Sequence, residues 1–254
     1  MKTILGIFGL IWKLYIAAVF VISAVFLYPV IATLLSNPNN KKMAFKMFVF
    51  WSWMFRFLCF YGVKKVKESN LPEGPYLIVA NHTSYLDIFL MYSILSNEPF
   101  LFLGKSEILA YPLIKTYFKK MNIPVFRDNK RKAAKSLIQA SKEVKSGWSI
   151  MIFPEGGIPD DDNPKMIEFK QGAFRLAKSL SIPIVPISFT NNHKLFSDPT
   201  NILGPARPGI SHVHIHEFIS TEEIELLSHA ELSQKCFDIV NAPILIANPE
   251  VPKN

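Results

Sequence analysis

An imidazole and a carboxylate stand five residues apart in Asn81-His82-Thr83-Ser84-Tyr85-Leu86-Asp87. A neutral histidine can take the proton of a hydroxyl as that hydroxyl attacks an acyl carbonyl. A carboxylate on the other ring nitrogen fixes the tautomer and stabilises the imidazolium that forms. His82 and Asp87 are therefore a candidate base and its orienting partner. A structural alternative stays open, because Ser84-x-x-Asp87 has the spacing of a capping box, in which Asp87 only returns a bond to the backbone. The apolar run Tyr76–Ala80 has strand length, and residues 87–95 have the composition of a buried helix. His82 thus falls in a strand-to-helix turn, where open α/β sheets carry their chemistry.

A second group of polar residues follows the apolar run Ile150-Met151-Ile152-Phe153. Pro154, Glu155, Gly156 and Gly157 deliver a carboxylate to the same sheet edge, and the glycines let a ligand approach the backbone. Cations end two other strand-like runs: Lys105 after Phe100–Gly104, and Arg127 after Ile123–Phe126. Arginine offers a planar fork for phosphate and lysine a compact charge.

These positions need a scaffold, and the chain alternates strands with helices. Strand-like runs are Tyr76–Ala80, Phe100–Leu103, Ile123–Phe126, Ser149–Phe153, Pro183–Phe189 and His212–Phe218. Helical stretches lie near Tyr85–Ser96, Glu107–Lys119, Lys130–Lys145, Phe169–Leu180 and Thr221–Val240. That order implies an α/β fold with a largely parallel sheet flanked by helices. His212, His214 and His216 alternate on one side of their run; without accompanying cysteines or placed carboxylates they read as a solvated or edge-facing strand, and no metal site is expected. Lys130-Arg131-Lys132 opens a helix that continues with Lys135, Lys142 and Lys145, a solvated face or a contact for a carrier protein or anionic lipid.

The first 68 residues read differently. Residues 14–35 carry no charge and just exceed the ~20 residues that cross a hydrocarbon core. The run is long for a signal peptide and lacks a following cleavage site. Residues 43–63 are apolar too, but Lys46 and Arg56 stand among Phe48, Phe50, Trp51, Trp53, Phe55, Phe57 and Phe60, a composition suited to the membrane interface. The expectation is an N-terminal membrane-docking helix pair over 1–68 and an α/β domain with a C-terminal tail over 69–254. Whether residues 14–35 cross or dip in and return stays open, since Pro29 permits a kink. Lys64, Lys65 and Lys67 mark the exit to water.

The chain has 254 residues, enough for one α/β domain with an appendage. Its 28 Lys and Arg against 20 Asp and Glu leave a net charge of +8, which suits an anionic membrane surface or substrate; charge alone does not exclude nucleic acid. Two cysteines, Cys59 and Cys236, rule out a secreted disulfide scaffold and point to a reducing, cytosol-facing compartment.

Together these stretches resemble the glycerolipid acyltransferase family, whose bacterial members include the 1-acylglycerol-3-phosphate (lysophosphatidic acid) acyltransferases. The resemblance runs from about Phe60 to Phe218. It rests on Asn81-His82 with Asp87, Phe126-Arg127, Phe153-Pro154-Glu155-Gly156 and Val185-Pro186-Ile187 in the family's order, with Phe169–Phe174 between the last two. It implies that His82 is the general base and Asp87 its partner. Lys105 and Arg127 become candidates for the acceptor phosphate, and Glu155, with the backbone at Gly156, helps hold the acceptor; Gly157 and Lys170 are further substrate-binding candidates. The hydroxyl then attacks the thioester directly, and the absence of a G-x-S-x-G pattern agrees with a mechanism lacking a serine nucleophile.

The implied reaction moves a fatty acyl chain from acyl carrier protein or coenzyme A to the free hydroxyl of 1-acylglycerol-3-phosphate, giving phosphatidic acid. The thioester is a co-substrate and no cofactor is expected. The expected partners are the bilayer, the lysophospholipid and the thioester carrier, with no nucleic acid, at the cytoplasmic face of the inner (plasma) membrane. There is one departure. Members acting on lysophosphatidic acid commonly carry Thr-Arg after Pro-Glu-Gly, and this chain has Gly157-Ile158 followed by Asp160, Asp161 and Asp162. Either Lys105, Arg127, Lys165 or Lys170 supplies the missing charge, or the acceptor is another lysolipid; a non-catalytic lipid-binding protein is the remaining alternative.

Overall fold

A computed structural model describes residues 2–126, 128–159 and 163–250. Its centre is a seven-stranded sheet in the order β1-β7-β6-β2-β5-β3-β4. The strands are β1 (Tyr61–Glu68), β2 (Leu77–Ala80), β3 (Phe100–Lys105), β4 (Ile123–Val125), β5 (Ser149–Ile152), β6 (Ile184–Phe189) and β7 (Gly209–Ile215). β2 to β6 run parallel. β7 is antiparallel to β6 and parallel to β1, so β1 runs against β2. The two central strands, β2 and β6, are buried at every position, as expected where helices cover both faces.

The connections place the site. α3 (Leu86–Ile94) and α4 (Pro112–Met121) follow β2 and β3 and step towards the β4 edge. α5 (Lys130–Lys145) and α6 (Gly172–Leu180) follow β4 and β5 and step back. Right-handed crossovers then put α3 and α4 on one face and α5 and α6 on the other. The neighbours β2 and β5 therefore send their chains to opposite faces, and the crevice between them is the topological switch point where such sheets bind ligands.

The first face is covered by α1 (Lys2–Leu34) and α2 (Lys41–Leu58), packed on each other and on α4, with α2 also on α3. α2 buries Phe45, Phe48, Trp51 and Phe55 at helical spacing. These rings meet Phe89 and Tyr92 of α3 and Tyr117 of α4. The opposite sides stay apolar and exposed, with Phe26 at 82% and Phe57 at 81%. α1 is held to the α/β part along most of its length. A side chain at Gly9 would lie 2.9 Å from the Gly204 carbonyl. The Lys13 ammonium donates to the carbonyls of Asp198 and Asn201, and Tyr117 to that of Ala24, while Tyr15 donates to the Leu58 carbonyl at the end of α2.

Three expectations are corrected. Tyr61–Glu68 is not an exit segment but an edge strand, so the sheet begins before residue 69; its lysines are tolerated because an edge strand has an open, solvated side. The helix expected over Thr221–Val240 is two, α8 (Thr221–Leu226) and α9 (His229–Ala247), after the four-residue turn α7 (Asn192–Leu195) and β7. The break is a capping box, with Ser228 and Glu231 bonding each other's backbone N–H. The helix expected from Phe169 starts at Gly172. Cys59 and Cys236 are buried, and burial pushes both thiols up to about 12, so they act as small hydrophobes.

Candidate active site

The turn after β2 is a polar network buried almost throughout. Asn81 ties the ends of two neighbouring strands by donating to the Phe189 carbonyl at 2.9 Å and accepting from Phe189 N–H at 2.8 Å. This turns the chain so that His82 leaves the sheet edge between β2 and β5. Its ring stacks on Phe153, centroids 4.1 Å apart and planes 14° from parallel.

Asp87 has no solvent exposure and faces His82. Its Oδ2 lies 3.0 Å from His82 Nδ1 and accepts N–H bonds from Thr83 at 2.8 Å and Ser84 at 2.9 Å. Its Oδ1 accepts from Asn192 Nδ2 at 2.6 Å. The two readings of the Ser84-x-x-Asp87 spacing are thus not exclusive: one oxygen serves the backbone and the imidazole together. With Nδ1 donating to Asp87, Nε2 is left as the acceptor, and no described residue hydrogen-bonds it. The serine hydroxyl donates to the Phe196 carbonyl at 2.6 Å and accepts from Leu86 N–H at 3.1 Å. A donor already spent on a carbonyl is no nucleophile.

Glu155 is placed where the strand order predicts, after β5, but it points inward. It is 2% exposed, and its oxygens accept from His82 N–H at 2.7 Å and Ile167 N–H at 3.1 Å. Burial pushes its carboxyl up to about 8, against those two bonds, which favour the anion, and with the Asp87 charge adding to the rise. Both oxygens join the turn after β2 to the segment after β5. That segment has a second tie, Asn163 Nδ2 to the Thr83 carbonyl at 2.8 Å. Gly156 takes φ +86°, a left-handed turn that favours glycine, closed by its N–H on the Phe153 carbonyl.

Lys105 ends β3 and is exposed, and its ammonium lies 3.0 Å from where a Cβ on Gly157 would sit. The glycine therefore makes room for a cation beside the crevice. Lys170 is exposed, with its N–H on the Pro154 carbonyl at 3.0 Å. Arg127 and the three aspartates at 160–162 lie outside the described residues. The structure thus gathers His82, Asp87, Glu155, Gly156, Gly157 and Lys105 at one sheet edge.

Asn192 and Phe153 were not singled out from sequence. Phe153 stood inside a strand motif that already suggested an edge position; Asn192 carried no signal, because its partner is 105 residues away. No group of three or more His, Cys, Asp or Glu that could hold a metal ion is found among the described residues, the alternating histidines included. His216 lies 2.8 Å from the Ser188 hydroxyl, which donates to the Val240 carbonyl, and burial pushes its imidazole down to about 4.

Comparison with known proteins bears on this geometry. A family model described as Acyltransferase matches residues 62–190. The 1-acyl-sn-glycerol-3-phosphate acyltransferase of Saccharomyces cerevisiae is 32% identical over 195 residues, covering 71% of this chain and 62% of that protein. The chloroplastic 1-acyl-sn-glycerol-3-phosphate acyltransferase BAT2 of Brassica napus is 32% identical over 161 residues, 62% of this chain and 45% of its own. The chain thus spans about half the length of the plant relative and under two thirds of the yeast one. The crystal structure of the 1-acyl-sn-glycerophosphate (LPA) acyltransferase PlsC from Thermotoga maritima superposes with a TM-score of 0.77 at 20% identity, both chains covered in full. That likeness fixes the fold.

Proposed function

The chain belongs to the acyltransferase family, and we propose that it transfers a fatty acyl chain from an acyl thioester to the free hydroxyl of 1-acylglycerol-3-phosphate, giving phosphatidic acid. One observation carries this reading: a buried carboxylate holds His82 by Nδ1 and leaves Nε2 open at the sheet edge, with the Lys105 ammonium on the same edge. Nε2 takes the hydroxyl proton as the oxygen bonds to the thioester carbon. The C–S bond then breaks, and the leaving sulfur takes the proton from His82 Nε2 and departs as the thiol, which returns the imidazole to its neutral form. Asp87 offsets the imidazolium charge in between.

Lys105, Arg127 and Lys170 supply the charge that the acceptor phosphate needs, and Gly157 leaves Lys105 the space to do so. Gly156 and Gly157 let the glycerol backbone approach the main chain. Glu155 fixes the catalytic turn rather than touching the acceptor. The thioester carrier, acyl carrier protein or coenzyme A, brings the only group transferred, so the reaction calls for no cofactor. The exposed face of α5, with Arg131, Lys132, Lys135, Lys142 and Lys145, suits an acidic carrier or the phosphates of coenzyme A.

The apolar outer sides of α1 and α2 dock the protein on the bilayer. α1 is long and apolar enough to cross, yet between Gly9 and Tyr28 it is bonded to the α/β part as well as packed on α2, and crossing would break the bonds to the α/β part. It lies in one leaflet, on the cytoplasmic side where thioester donors are made. Gly157-Ile158 favours a second reading, the same chemistry on another lysolipid.

An acceptor panel tests both: lysophosphatidic acid against lysophosphatidylcholine and lysophosphatidylethanolamine, with one acyl donor and liposomes. Preference for lysophosphatidic acid is expected. Preference for another acceptor would move the assignment to that lysolipid, and no turnover with any would end the catalytic reading.

A further inference from the structure

Asp87 is held from two directions. Three donors from its own turn share Oδ2, whereas Oδ1 has a single partner among the described residues, the Nδ2 of Asn192. Both residues are completely buried, so the bond is shielded from water. A carboxylate held by one oxygen can rotate about its Cβ–Cγ bond; the Asn192 bond sets its plane, and with it the line along which Nδ1 is held.

Asn192 opens α7, and four residues have no helical stability of their own. Their position comes from outside. The Leu195 carbonyl accepts from Tyr61 Oη at 3.3 Å, and that oxygen accepts from Trp12 Nε1 of α1 at 3.3 Å. The Phe196 carbonyl accepts from Ser84 in the catalytic turn. Beyond it, the Asp198 and Asn201 carbonyls take the Lys13 ammonium, buried in the middle of α1. Gly6 and Gly9 let α1 close on Leu203 and Gly204. A lysine buried on carbonyls in a predominantly apolar helix serves the segment it holds, since a membrane face gains nothing from it.

We propose that Asn192 is a positioning residue for acyl transfer and that α1, through Lys13 and Trp12, is the strut that holds its segment in place. The docking helix and the catalytic carboxylate are then one mechanical unit. This rests on His82 and Asp87 acting as described above.

The test uses the full chain on anionic liposomes with lysophosphatidic acid and an acyl-coenzyme A. Asn192→Ala is expected to lower kcat about 10- to 100-fold, the loss of one hydrogen bond to a charged group, with both KM values within about threefold. The groups that face Asp87 are His82, Glu155 and His193, the last beside Lys194 and Glu250. With Oδ1 bare, the carboxylate attracts the imidazolium more strongly, so the acid limb of the kcat/KM profile moves to higher pH. A change that only loosened packing would not move it in a set direction.

Lys13→Met makes α1 more apolar, so liposome binding holds or tightens while kcat falls about 3- to 10-fold. The double variant is expected to lose no more than Asn192→Ala alone, because both act through one segment. Unchanged kcat in Lys13→Met, losses that multiply, or an unmoved acid limb would overturn the proposal. If Asn192→Ala does not fold, Lys13→Met decides alone. An inactive wild type in the same assay would instead remove the function proposed above.

Discussion

Asp87→Asn separates the charge of this carboxylate from its shape. Asp87 accepts four bonds, three on Oδ2 and one on Oδ1. An asparagine with its oxygen in the Oδ2 position keeps the bonds from His82, Thr83 and Ser84. Its amide then faces Asn192, whose own Oδ1 is buried without a partner. A flip of the Asn192 amide turns that oxygen to the new donor, and every bond is restored with the imidazole tautomer unchanged. The fold is therefore expected to lose less than about 1 kcal/mol.

What disappears is the anion beside the imidazolium. At about 4 Å between charge centres and an effective dielectric near 20, that attraction is roughly 4 kcal/mol, or close to 10³ in rate. The assay is transfer from a labelled acyl thioester to lysophosphatidic acid across pH, with thermal unfolding alongside. A kcat some 10²- to 10³-fold down at nearly constant melting temperature, with the acid limb moved to lower pH, is expected. Wild-type turnover in Asp87→Asn would refute the charge argument. Unfolding would refute the amide-flip argument, since it would show that the four bonds need a carboxylate.

Other consequences follow from the same geometry. His82→Ala is expected to abolish transfer while the chain still folds, read by turnover and circular dichroism. Lys105→Met is expected to raise the acceptor KM by about 10-fold while leaving the donor KM near its wild-type value, the loss of one charge-assisted bond. Glu155 carries a carboxyl raised to about 8 by burial. The native state then binds a proton that the unfolded chain releases near its ordinary value, so stability declines as pH rises through about 4.5 to 8, by up to ~1.4 kcal/mol per unit. Denaturant unfolding of Glu155→Gln should lack that slope. Phe57→Glu, at a ring 81% exposed on α2, should cut liposome binding at least 10-fold without changing turnover in detergent.

Much of the site was legible because its residues sit at strand ends. Alternating runs place His82, Lys105 and Glu155 on one edge whatever their contacts, and four motifs in order carried the family. Direction was not legible. Glu155 reads as a ligand from its motif, yet it turns inward, a choice made by two backbone N–H groups that no residue type announces. Asn192 is invisible for the same reason, because its bond to Asp87 depends on how a late segment folds over an early turn. β1 was missed through its lysines, since edge strands and exits to water share a composition.

That reversed edge strand also orders assembly. β1 is made directly after α1 and α2, but β7, its one partner among the described residues, is made only after five more strands and five α-helices have been laid down between them. During that interval β1 presents unpaired backbone. Lys64, Lys65 and Lys67 are the protection such an edge requires against pairing with a neighbouring chain. The residues that looked like a boundary marker are better understood as guarding a strand that must wait.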